Sequence, residues 1–181
     1  MRLTPKITKF KYRQAGVVLV VSLVFLTLLT MIGVSAIKTT SLQGSMAKNT
    51  LEQNMSFQTA ESALREGERW LVELVALPVV CVVPPCLIYE KNMNGEYTAL
   101  DHAWWMANGE EYGVNGVNEF DKVLNDPRYV VEHQDFLRDS LTAGQVAPSG
   151  MEAYRVIARG TGGEDETQTI LESTFTRRFN N

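Results

Sequence analysis

The chain has 181 residues, a formal net charge of −4 and two cysteines, enough for one ordinary domain and an apolar extension. Its charge is unevenly placed: Arg2, Lys6, Lys9, Lys11 and Arg13 give the first 37 residues +5 with no acid, leaving −9 on the other 144. A body that acidic argues against a nucleic-acid partner, whose phosphates demand a basic surface.

The basic head is followed by an uncharged run. Lys and Arg beside an apolar span stay on the cytoplasmic side, so everything after Ile37 is expected beyond the membrane. Val17 to Ile37 is 21 residues without a charge, about 31 Å as a helix, which matches the hydrocarbon core of a bilayer. Its hydroxyl side chains, Ser22, Thr27, Thr30 and Ser35, are able to bond back to the helix backbone. Three readings fit: a discarded signal peptide, a permanent anchor, or a segment cut after Gly16 and kept. The apolar core exceeds the ~7 to 15 residues of a secretory signal, although Val34-Ser35-Ala36 offers a small-x-small site after Ala36.

Helix-forming sequence then continues without proline to Leu77, the residue before Pro78. Leu42, Met46, Asn49, Gln53, Ser56, Ala60, Ala63, Gly67 and Trp70 recur at steps of three or four, an amphipathic pattern. Glu61 and Arg65 stand four apart in the favourable direction. Anchor and amphipathic rod read as one helix of some 55 to 60 residues, about 85 Å long. Gly33, Gly44 and Gly67 interrupt it at ~1 kcal/mol each, either as hinges or as points of close helix packing.

A basic leader, a glycine, an uncharged helix that becomes amphipathic, and a small exported head together resemble a type IV pilin-like protein. Val17 to Glu68 resembles the N-terminal region of the PilX family of minor pilins, and YRVIARGTGGEDETQTILESTF, Tyr154 to Phe175, is similar to that family's closing hairpin. The resemblance implies an α+β fold, with the long helix packed on a C-terminal antiparallel sheet. It implies a leader over 1–16, a helix over 17–77 spanning the membrane at 17–37, and an exported head over 78–181. Prepilin peptidase would cut between Gly16 and Val17, and Val17 would be N-methylated. Partners would be other minor pilins, the major pilin and a tip adhesin. The chain would sit in the inner membrane with its N-terminus cytoplasmic before joining an extracellular fibre that serves twitching and attachment. Most pilin-like proteins carry a glutamate at the fifth mature position, where this sequence has Val21. Valine cannot accept the ionic contact that such a buried carboxylate makes, so the resemblance points to a tip-proximal subunit. Against it stand an ordinary lipid-facing role for Val21, a type II secretion pseudopilin and a plain single-pass envelope protein.

In the head, Pro78, Pro84 and Pro85 end the helix and frame Cys81 and Cys86. Two cysteines five apart in an exported region are expected to form a disulfide. With only His102 and His133 as further soft ligands, a zinc site is not expected. Asn92, Asn94, Gly95, Asn108, Gly109, Gly113, Asn115 and Gly116 make the next stretch turn-rich, with a short helix around Leu100 to Ala107 that packs Trp104 and Trp105. Arg128 to Phe136, Ala153 to Thr161 and Thr167 to Arg178 read as antiparallel strands, the last two joined by a turn from Gly160 to Glu166. The amphipathic half of the helix is the natural cover for that sheet.

No catalytic constellation emerges. Asp101-His102 lacks an assignable nucleophile, Glu110 and Glu111 point to opposite faces of a strand, and His133 is expected on a solvated strand face. Glu164-Asp165-Glu166 lacks the spacing of a calcium loop and reads as solvated turn acids. The sequon Asn54-Met55-Ser56 falls on the helix, away from the surface loops that accept glycans. No enzymatic activity, cofactor or metal is expected.

Overall fold

The computed structural model describes residues 16–81, 83–84, 86–113, 120–139, 149–164 and 166–179. Helix α1, Val17–Glu73, covers 57 residues, and the chain divides into two compact units, Met1–Ala47 and Lys48–Asn181. In the first unit every described residue is helical or immediately before the helix, and every one is exposed.

In the second unit, α1 ends at Glu73, four residues short of the expected Leu77. The reason lies in β5, Gln168–Arg177. The Arg177 guanidinium donates to the carbonyls of Leu71 and Leu74, satisfying acceptors at the helix end and placing a cation at its negative pole. The last turn is therefore closed by tertiary contact before Pro78 is reached.

The sheet contains β1 (Ile88–Tyr89), β2 (Glu110–Glu111), β3 (Arg128–Arg138), β4 (Gly150–Thr161) and β5. Its order is β1-β3-β4-β5, with β2 also on β3. The three long strands are antiparallel as expected, but β1 runs parallel to β3, so the sheet is mixed. A two-residue parallel strand leaves no alternation to read. Helix α2, His102–Asn108, begins where the Asp101 side chain accepts the Trp104 amide, an ordinary N-cap.

Both faces of the sheet are covered. On one side Ala63 and Leu71 of α1 pack with Tyr129, Val131, Tyr154, Val156 and Ala158. On the other, Tyr89, Tyr97 and Trp105 pack with Val130 and Ile157. Strand alternation sorts the residues between these layers: Val130 goes one way, Tyr129 and Val131 the other.

The face that α1 buries is made of Ser56, Thr59, Ala60, Ala63, Gly67 and Leu71. Five of the six are small, so the helix lies close upon the sheet. Closest is Gly160, which belongs to β4, as the strand expected over Ala153 to Thr161 has it, and not to the turn also expected to begin there. A Cβ there would meet Ala60 N and Ser56 O at 2.3 Å and Thr59 Oγ1 at 2.4 Å. At Gly67 an added Cβ would meet Val156 Cγ1 at 2.7 Å, so this glycine serves close packing on the sheet. The turn proper starts after Thr161: Gly162 N donates to Thr167 O at 2.9 Å, and the Glu52 carboxylate of α1 accepts the Gly163 amide at 2.6 Å.

Candidate functional site

The N-terminal unit presents the chemistry of a surface made for an apolar environment. From Val17 to Ile37 the helix has no charged residue, and its most apolar stretch has a mean hydropathy of 2.8 with no residue buried. Val17, Leu19, Leu23, Phe25, Leu29 and Ile32 are all more than half exposed. Three of its hydroxyls are internally satisfied: Ser22 donates to Leu19 O at 2.9 Å, Thr27 to Val24 O at 2.7 Å and Thr30 to Thr27 O at 2.8 Å. A helix that closes its own polar groups exposes little but hydrocarbon, which is what a bilayer or an apolar helix bundle requires.

Gly16 stands at the start of this helix with φ +79°, and its carbonyl lies 3.5 Å from the Val20 amide. That backbone region favours glycine. No atom would obstruct a Cβ there, so the demand at position 16 is conformational. Val17 is the first helical residue, and Val21 lies one turn on, exposed. The leader before Gly16 lies outside the described residues.

The head holds the other residues singled out from sequence. Cys81 and Cys86 form a disulfide with Cα atoms 5.9 Å apart, while Pro85 lies outside the described residues. Trp105 is fully buried and Trp104 packs against it edge-on at 5.5 Å, a core role. His102 Nδ1 lies 3.0 Å from Arg159 Nη1. Glu110 is exposed, and Glu111 pairs with Arg128 at 2.5 Å. His133 is half-buried, 2.7 Å from Glu152, so that strand face is less solvated than expected. Glu164 pairs with Lys48 at 2.6 Å; Asp165 lies outside the described residues, and among the described residues no three acidic, His or Cys side chains gather as metal ligands.

Sequence reasoning missed the polar centre of the second layer. Glu132 is fully buried and accepts from Arg155 at 3.0 Å, the Tyr97 hydroxyl at 3.0 Å, the Asn92 amide at 3.1 Å and the Gln134 amide group at 2.5 Å. Glu132 and Arg155 are opposite one another across β3 and β4. Nothing in the local pattern marks Glu132 for burial; the layer formed by Tyr97 and α2 covers it, while Arg155 beside it stays part-exposed. Burial, with Glu132 beside it, holds the Tyr97 phenol well above its ordinary value.

The family model described as "Type IV pilus assembly protein PilX C-term" matches residues 42–177, and the PilX N-terminal model matches residues 15–65. No curated protein matches, and no solved structure does.

Proposed function

Because the chain belongs to the PilX family of type IV pilus assembly proteins, we propose that it is a minor pilin, cut between Gly16 and Val17 by prepilin peptidase and N-methylated at Val17. The observation that carries this reading is the bare apolar helix beginning immediately after Gly16, with the hydroxyls of Ser22, Thr27 and Thr30 closed on its own backbone. Before assembly that helix holds the chain in the inner membrane, N-terminus inward and head in the periplasm, consistent with the basic flank. In the fibre the same side chains pack against helices of other pilins, minor and major. Val21 offers no carboxylate for a neighbour's terminal amine, which supports a place near the tip, beside an adhesin, in a fibre serving twitching and attachment. The family is one of structural assembly proteins, and the chain's part is to help start or cap the fibre.

Mass spectrometry of the mature N-terminus tests the processing. N-methylated Val17 is the expected result; an intact Met1 would return the chain to a plain anchor, and Ile37 would mean an ordinary secreted domain.

A further inference from the structure

Between the end of α1 and β1 the chain turns its apolar side chains two ways. Leu71, Leu74, Val80 and Ile88 enter the core. Val75, Val79, Val83 and Leu87 stay 96%, 86%, 73% and 67% exposed, and Val72 and Leu77 are more than half exposed. Single exposed apolar residues are ordinary. Six along one short segment exceed such scatter, in a head with eleven basic residues against twenty-one acidic ones from Lys48 onward.

Leu87 also lines a pocket of about 80 Å³ with Trp70, Cys86, Glu110 and Tyr129. Trp70, Tyr129 and Cys86 form its walls, and Glu110 supplies a carboxylate with no ion pair among the described residues. The local field is negative: the Tyr129 phenol is raised first by burial, then by the charges of Glu110 and Glu66, with Arg69 opposing. Such a socket fits the apolar stem and cationic head of a lysine or arginine side chain.

The geometry points to a docking face for a different protein, one that covers Leu87 and the exposed valines of this segment and seats a lysine or arginine against Glu110. Glu110 beside Leu87 and the acidic excess of the head select a basic border on the partner and disfavour both a second copy of this chain and an anionic lipid surface. This face belongs to the head alone and stands whether or not the fibre reading of the N-terminus holds.

Photocrosslinking tests it in the full chain, in cells that assemble the native envelope, with p-benzoylphenylalanine in place of Val79. The expected adduct is with a different polypeptide, joined through a peptide that carries Lys or Arg among apolar residues. Glu110→Lys should lower its yield about five- to tenfold and Glu110→Asp should largely retain it. Where Glu110→Lys fails to fold, judged by tryptophan fluorescence and the disulfide, high salt on isolated envelopes of the otherwise unaltered protein should lower the same adduct. An adduct with a second copy, with lipid or with a peptide lacking a basic residue overturns the inference, as do no adduct at all and a yield indifferent to both charge reversal and salt.

Discussion

Glu132 shows how one residue can organise a layer. Its carboxylate holds Arg155, Tyr97 and the Asn92 amide together, so Glu132→Leu strands several donors at once and should cost about 3–5 kcal/mol. Urea unfolding of the head will read this as a lower midpoint, and replacing Arg155 by Met in the same chain should restore part of the loss. Gly160 poses the opposite demand, for absence of bulk. Gly160→Ala drives a methyl into the backbone of α1, and about 1–3 kcal/mol of stability should go with it; a midpoint unchanged within error would mean that the seam can open without cost. The tyrosines give the head an alkaline limit. Burial, helped by the Glu152 charge and opposed by Arg177, pushes Tyr154 up to about 12 from 10.0, and Tyr97 and Tyr129 shift the same way. A raised phenol stabilises the fold fully below pH 10.0, and that contribution is lost as pH climbs through 12. Phenolate absorbance from Tyr97, Tyr129 and Tyr154 should therefore rise together with loss of circular dichroism above pH 10, and ionisation of these three in a still-folded head near 10.0 would contradict this account.

At the scale of elements, α1 was legible where its periodicity is unambiguous and illegible where another element decides. The steps through Ser56, Ala60, Ala63 and Gly67 give the buried stripe directly. Thr59 joins it because its hydroxyl lies 3.2 Å from Thr161 O, a partner 102 residues away that no local pattern reveals. The same holds for the helix end, set by Arg177. Arg177→Met should fray the last turn at a cost of about 1 kcal/mol, visible as faster amide exchange around Leu74 and Val75 without a change at Ala63. The long strands were found to within about three residues because they alternate, and the turn was begun too early, at Gly160, because a glycine cluster looks the same in a turn and at a close approach. The Cys81–Cys86 pairing was readable from number and spacing; the small loop it closes should contribute about 2 kcal/mol through the unfolded chain.

For the whole molecule, the division after Ala47 means that the head carries its own core. A chain beginning at Lys48 should fold with its disulfide formed and give a soluble monomer by sedimentation, whereas the chain from Val17 should need detergent. The processing reading came from the join between a basic leader and an apolar run, both plain in sequence. The exposed strip beside the disulfide was not, since an apolar segment framed by prolines is silent about which side chains find cover. Fibre position is a matter of counting: copies per fibre should stay constant as fibres lengthen, and Val21→Glu should make the number scale with length. The seam on α1 also bears on force. A pull on Lys48 along the part of α1 that lies in the head meets the ion pair to Glu164 and the Glu52 contact with the Gly163 amide first. Behind them the small residues from Ser56 to Gly67 lie lengthwise under the load, so the interface is strained in shear and cannot be peeled one contact at a time.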